Sequence, residues 1–334
     1  APVPHNLLRY FCAALFQHTA LFPMIRQIES VAGFTGDDTD EAKLNRLEKL
    51  VKQGNNDPAE LTPYLAALLS IPTHGRYPDL NLSPQRWLEN TMRALELQLS
   101  GLARNRPVLV IFEDLHWIDP TTLELLERAV RKIAEMPVML VMTARPEFEP
   151  PWQDAQDTST IRLDRLDQDN TAALAAQLFD DRPLPDELVD LIVKKTDGVP
   201  LFIEEMTKMI IDMGLLEDNG DSLVLTGPLP DVALPSTLQD LLMARLDRLA
   251  GAKELAQVGA TIGRRFAHEL LGAVTNLRAE QVNAAMLKLL SADIVTAKGD
   301  APNVIYTFKH ALIQDSAYSS LLKDRRKSLH RSIA

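Results

Sequence analysis

The sequence predicts an α/β protein, with a doubly wound parallel sheet early in the chain, then a helical domain and a winged-helix domain. Three observations carry that expectation. Residues 108–112, Val-Leu-Val-Ile-Phe, run without a polar break behind Pro107. A short apolar run rich in Val and Ile, bounded by a breaker, reads as a strand buried on both faces. Residues 138–143 repeat the pattern behind Pro137, with an amphipathic helix between the two runs. Strand, helix, strand is the unit of a parallel sheet. From Asn170 onward no long apolar strand recurs, and helical spacing dominates until 294–296 and 304–308 alternate across Gly-Asp-Ala-Pro. Helices followed by such a hairpin mark a winged helix.

The elements follow in order. Residues 7–14 form a mostly apolar run, a first strand. Residues 20–32 place Leu21, Met24, Ile25, Ile28 and Ala32 at helical spacing, with Pro23 in the first turn and Gly33 as a stop. Residues 40–51 and 61–69 read as two further helices, and 73–84 as a loop. Ser83 caps a helix that opens on Pro84 and that Gly101 should close. Thr121 and Thr122 open the helix between the two buried strands, and 160–163 is a weaker third strand. Residues 171–179, capped by Asn170, 186–195 and 200–213 are expected helices, and 214–235 a linker. The remainder reads as helices over 236–249, 252–261, 266–274, 278–291 and 309–323.

Composition bounds the function. The 334 residues suffice for two or three domains, and 46% apolar with 24% charged residues is ordinary for a globular protein. A formal net charge of −11 argues against a general nucleic-acid or membrane-surface binder, because the summed field repels phosphate. Cys12 is the single cysteine, so an intrachain disulfide and a cysteine metal site are excluded. That usage, with no spanning apolar stretch and no secretory pattern, fits a cytoplasmic setting. The chain opens Ala-Pro-Val-Pro without a Met, and is expected to be part of something longer.

The chemistry concentrates after the first buried run. Glu113 and Asp114 stand at its carboxyl end, where open α/β sheets place their ligands. Two carboxylates there suit a nucleotide-hydrolysing site: Glu113 to hold Mg²⁺, Asp114 to orient the attacking water. This is a Walker B pattern; a buried strand running into an acidic helix start would look the same. Asp119 before Pro120 fits an N-cap better than a catalytic role, and His116 and Trp117 read as packing at the corner. Thr143 and Arg145 end the next strand and face the same crevice, where they could sense a terminal phosphate; alternatively Arg145 pairs with Glu147 or Glu149. Gly198-Val199-Pro200 alone is a helix–helix turn. The loop that grips phosphates, Gly-x-x-x-x-Gly-Lys-Ser/Thr, has no counterpart, since no Gly-Lys pair occurs. The basic run 323–331 is a solvated helical face or a nucleic-acid contact.

Taken as a set, the segments 112–126 (Phe-Glu-Asp-Leu-His-Trp-Ile-Asp-Pro-Thr-Thr-Leu-Glu-Leu-Leu), 143–152 and 196–205 resemble one family. So do 242–249, 262–266 and 308–318. It is the AAA-like ATPase module of bacterial signalling proteins, the signal-transduction ATPases with numerous domains, in the version that follows a class III adenylate/guanylate cyclase domain. The resemblance spans nearly the whole chain. It implies a P-loop NTPase-like core over 1–165, a helical lid domain and linker over 166–234, and a winged-helix-like domain over 235–334. It implies ATP and Mg²⁺ as cofactors of the intact family member, Arg145 as a sensor, and Gly198 and Pro200 near the adenine. Implied partners are the nucleotide, an upstream P-loop segment, a cyclase effector and a downstream helical-repeat sensor, with no membrane and with DNA disfavoured. In the family the P-loop strand is central, between the strand ending in Arg145 and the last strand. Its absence here predicts an incomplete sheet and no appreciable ATP hydrolysis or tight nucleotide binding by this chain alone. The alternative is a non-catalytic interaction scaffold or a transcriptional regulator acting through the winged helix.

Overall fold

The computed structural model describes residues 4–35, 38–54, 56–152, 157–179, 182, 184–219, 223–227, 235–249, 251–275, 277–299 and 304–333. The chain divides into two compact units, Ala1–Ile161 and Arg162–Ala334.

The first unit is built on three parallel strands, β1 (Asn6–Phe11), β2 (Val108–Glu113) and β3 (Val138–Met142), in the order β1-β2-β3. Between β1 and β2 the chain makes α1 (Phe22–Ala32), α2 (Asp40–Gln53), α3 (Pro58–Leu68) and α4 (Pro84–Asn105); α5 (Pro120–Ile133) joins β2 to β3. The caps are those the side chains dictate: Thr39, Asp57, Ser83 and Asp119 each accept a backbone N–H in the first turn of the helix they open. Gly33 ends α1 in the left-handed region at φ 67°. Gly101 does not end α4, which continues to Asn105. It is a packing glycine: a Cβ there would lie 2.0 Å from the Gly54 carbonyl oxygen, so its absence lets the turn after α2 press onto α4.

Two cores fill this unit. Val108, Val110 and Phe112 of β2 pack with Met92 and Ala103 of α4 and Leu125 and Leu126 of α5. A satellite core joins Leu44, Leu47 and Val51 of α2 to Leu61 and Leu65 of α3 and Ala94 of α4. The expectation that residues 108–112 are buried on both faces is corrected. Burial alternates along β2, with Leu109, Ile111 and Glu113 only half-buried. In register beside them, Leu7 is 51% and Met139 66% exposed. One face of the sheet is roofed by helices and the other is not. Residues 160–163 form no strand either, and Ile161 and Leu163 stand 83% and 90% exposed. An alternating segment becomes a strand only beside a partner whose backbone it can bond.

The second unit begins with α6 (Gln168–Gln177), α7 (Asp186–Thr196) and α8 (Pro200–Asp212), which share a core of Ala175, Leu188, Ile192, Ile203, Met206 and Ile210. The cap of α6 is Asp167 rather than Asn170: its carboxylate accepts the Asn170 N–H at 2.8 Å. Within the expected linker, β4 (Leu216–Asp218) and β5 (Leu223–Leu225) pair antiparallel. Then come α9 (Leu238–Arg248), α10 (Ala252–Ile262), β6 (Arg265–Ala267), α11 (His268–Val274) and α12 (Ala279–Ser291). β7 (Val295–Lys298), β8 (Ile305–Phe308), α13 (Ala311–Ser319) and α14 (Lys323–Ile333) complete it. β7 and β8 are the expected hairpin, and β6, which sequence reading missed, makes the order β6-β8-β7. The tip of that hairpin, 300–303, and linker residues 220–222 and 228–234 lie outside the described residues. The single helix expected over 309–323 is α13 alone, and Lys323 instead opens α14. No helix among the described residues is long and apolar enough to cross a membrane.

Candidate functional site

The parallel sheet ends its strands together, and that brings four of the six singled-out residues to one place. β2 delivers Glu113 as its last residue, and Asp114 turns the chain with φ 61°. A left-handed backbone costs a non-glycine residue of order 1–3 kcal/mol and persists only where neighbours impose it. Here β3 imposes it. The Asp114 N–H donates to Thr143 Oγ1 at 3.1 Å, and the Leu115 N–H donates to the Thr143 carbonyl at 2.9 Å. The Thr143 N–H in turn donates to the Phe112 carbonyl at 2.9 Å. Thr143 thus fastens the end of β2 to the end of β3 and sets where Asp114 points.

Glu113 has a cation beside it. Arg9 of β1 lies in the row of Ile111, two residues before Glu113 and on the same face, and its Nε sits 3.6 Å from Glu113 Oε1. Arg145 places its guanidinium 5.6 Å from the Trp117 ring centre, a cation–π contact. Among the described residues no ion pair ties it to Glu147 or Glu149. Between Asp114 and Ile118 the chain makes one tight turn holding His116 and Trp117. Both ring nitrogens of His116 are screened from solvent and have no partner among the described residues. Burial pushes its imidazole below the ordinary value, and the charge of Arg145 adds to that.

Asp119 is the functional-looking acid with a structural job. It is buried, accepts the Thr122 N–H at 2.9 Å and the Thr122 hydroxyl at 2.5 Å, and also accepts the Leu21 N–H at 3.2 Å. It therefore anchors the starts of α5 and α1 together behind the site. Cys12 lies in the same neighbourhood. Burial first, then the carboxylates of Asp119 and Asp114, push its thiol up to about 12, so it stays a protonated packing residue. Sequence reading missed Arg9 and the pinning role of Thr143. Only the strand register, which no single-strand pattern reveals, puts them beside the acids.

Gly198 and Pro200 belong to the second unit. Asp197 (φ 50°) and Gly198 (φ 70°) are both left-handed, and Pro200 opens α8. The Leu166 N–H donates to the Gly198 carbonyl at 2.8 Å, and a Cβ at Gly198 would meet the Leu166 oxygen at 2.1 Å. Arg165 pairs with Asp197 next to it. The turn is glycine by necessity, with the strand-like segment before α6 strapped across it.

Two hollows, of about 420 Å³ against α10 and α14 and about 460 Å³ between α4 and α5, are not lined by any of these six residues. No cluster of three or more His, Cys, Asp or Glu suited to a metal occurs among the described residues. An oxygen pair such as Glu113 and Asp114 still fits Mg²⁺, which takes one or two carboxylates and fills its other positions with water and phosphate oxygens.

No family model matches the chain. It is 31% identical over 343 aligned positions to an uncharacterized protein of Rhizobium meliloti (strain 1021), covering 98% of this chain and 31% of that protein. The chain thus spans about a third of the length of the curated relative it matches. Among solved structures it is similar to a signal transduction ATPase with numerous domains, with a tetratricopeptide repeat sensor, from Pyrococcus horikoshii. The TM-score is 0.49 at 10% identity, over 99% of this chain and 42% of that one.

Proposed function

We propose that the chain carries the acidic half of an ATP site and the helical domains that respond to it, in a cytoplasmic signalling switch. The carrying observation is the strained Asp114 beside Glu113, held by Thr143 at the joined ends of two parallel strands. In this reading Glu113 and Asp114 would hold Mg²⁺, which supplies charge neutralisation on the transferring phosphate. Asp114 orients the attacking water and takes its proton. Arg145, resting on Trp117, is free to swing to the terminal phosphate. On the motif resemblance alone, Gly198 and Pro200 are assigned to the adenine end, and the three parts are the core 1–165, the lid and linker 166–234 and a winged helix 235–334.

The phosphate-gripping loop lies, in this proposal, outside these 334 residues, on a strand and helix that complete the sheet. The support is physical. β3 has strand β2 on one side and no strand on the other among the described residues. The sheet face bearing Leu7, Leu109, Ile111, Met139 and Val141 is partly open, although parallel sheets normally bury both faces. A cyclase-type effector and a helical-repeat sensor are the proposed partners, on the motif resemblance alone.

Mg-ATP titration of this chain, beside a polypeptide carrying an added strand–P-loop–helix segment, tests the reading. Tight binding is expected only of the second. Equal affinity in both would show that the phosphate grip has been misplaced. The regulator reading draws on the basic helix α14, where Lys323, Arg325, Lys327 and Arg331 are exposed. Under the winged-helix reading α12 would be the recognition helix, yet it exposes Glu280, Asn283 and Leu287 with Lys288. Duplex DNA binding that weakens steeply with salt would favour that second reading.

A further inference from the structure

The second unit contains two separate hydrophobic cores, and the way they are joined is informative. The first belongs to α6, α7 and α8; the second to α10–α13, α14 and the three-stranded sheet. Among the described residues only α9 enters both. Its Leu241 is buried with Ile203, Met206 and Ile210, its Leu242 and Leu246 with Leu255, Leu289 and Phe308, and Leu238 borders both. No residue of α8 enters the second core and none of α10–α14 enters the first.

Charge also joins α8 to the C-terminal bundle. Glu205 of α8 is 2% exposed and pairs with Arg245 of α9, whose other guanidinium nitrogen donates to the Ala292 carbonyl after α12. Lys208, one turn along α8, lies 3.5 Å from Glu205 and 3.4 Å from Asp293. Asp293, left-handed at φ 58° in the turn before β7, also pairs with Lys309 after β8. Burial raises the Asp293 carboxyl, but hydrogen bonds and charge from Lys309 and Lys208 outweigh it and leave it below its ordinary value. His310 faces Glu204, Glu205, Lys208 and Lys309, and burial pushes it below its ordinary value, so it adds little charge near neutrality.

A buried ion pair is weak net glue, because desolvation offsets most of the attraction, yet it is strict about geometry. An apolar face would stabilise many orientations; a carboxylate shared between two cations on different elements stabilises one. We infer that Glu205, Arg245, Lys208 and Asp293 form a polar latch that fixes the C-terminal bundle in one orientation on α6–α8, with α9 as the pivot. Opening the latch frees the bundle to swing while each core stays folded. This rests on packing alone, so it stands or falls independently of the nucleotide reading.

The test uses spin labels on exposed sites, Lys194→Cys in α7 and Lys327→Cys in α14, with the distance distribution read by pulsed electron resonance. Cys12 is buried with its thiol pushed up to about 12, so it offers no competing site. The otherwise native chain should give one narrow distance. Glu205→Gln and Arg245→Met should each lose that narrow peak for a broad or double one, with helix content by circular dichroism unchanged. Should either buried variant lose its helix signal, Asp293→Asn, at the exposed outer end of the network, decides alone, and broadening there supports the latch. Unchanged distributions in the folded variants, or one already broad in the native chain, would overturn it.

Discussion

The described residues form two three-stranded sheets, and these treat their second faces differently. In β6-β8-β7 the strands are antiparallel, and Phe266, Tyr306, Phe308 and Val295 turn one face into the C-terminal core. The other face carries Arg265, Thr296 and Thr307, residues content in water. That sheet is chemically two-sided, as antiparallel sheets commonly are. In β1-β2-β3 the strands are parallel, and the roofed face holds Val108, Val110 and Phe112. Its opposite face carries Leu7, Leu109, Ile111, Met139 and Val141, with the Arg9–Glu113 pair toward the carboxyl end, and it is only partly covered. In the proposed reading that back face receives another layer. The acid pair Glu113–Asp114 stands at the end of that sheet, not of the self-sufficient one.

Truncations on the roofed faces should show the largest effects. Phe112→Ala and Phe308→Ala should each cost about 3–5 kcal/mol, since both side chains are fully buried in tight cores. Denaturant unfolding measures both. Asp119→Ala comes next, at about 1–2 kcal/mol or somewhat more, because it removes an N-cap and leaves the buried Leu21 N–H without its acceptor. Met139→Ala on the open face should change stability by under about 0.5 kcal/mol in this chain, as surface substitutions do. In a polypeptide that completes the sheet the same change should cost several times more; equal, small costs in both would break the comparison.

The smallest expected effect is a pH dependence. Burial raises the Glu48 carboxyl, but hydrogen bonds from Arg76 and Tyr77 more than compensate and leave it below its ordinary 4.5. Its contribution is therefore present above pH 4.5 and is lost as pH falls through the lowered native value. Acid titration of stability should show native chain and Glu48→Gln converging below that window. A constant gap between them down to the acid limit would mean that Glu48 does not titrate as described.

Much of this architecture was legible in the sequence. The strands around Val110 and Leu140 announced themselves by continuous apolar runs, and the helices by spacing and caps such as Ser83 and Asp119. Of what was not legible, three cases show the physical reason most clearly. Residues 160–163 have strand-like alternation but no neighbour to bond, so the pattern alone could not make a strand. Gly101 looked like a helix stop because sequence cannot show that a distant turn at Gly54 needs the space. Arg9 and Thr143 entered the site through strand register, which is a tertiary property. The motif set gave the position of the acids; that Asp114 is left-handed and tied to Thr143 appears only in three dimensions.

The central claim is that the open side of β1-β2-β3 awaits a strand and helix bearing the phosphate loop. Hydrogen exchange of the β3 amides, Val138–Met142, reads this most directly. In this chain the account predicts rapid exchange at the β3 amides that point away from β2, with strong protection in β2. In the polypeptide carrying the added strand–P-loop–helix, those same amides should become protected. Uniform protection across β3 in the present chain, unchanged by the added segment, would contradict the account.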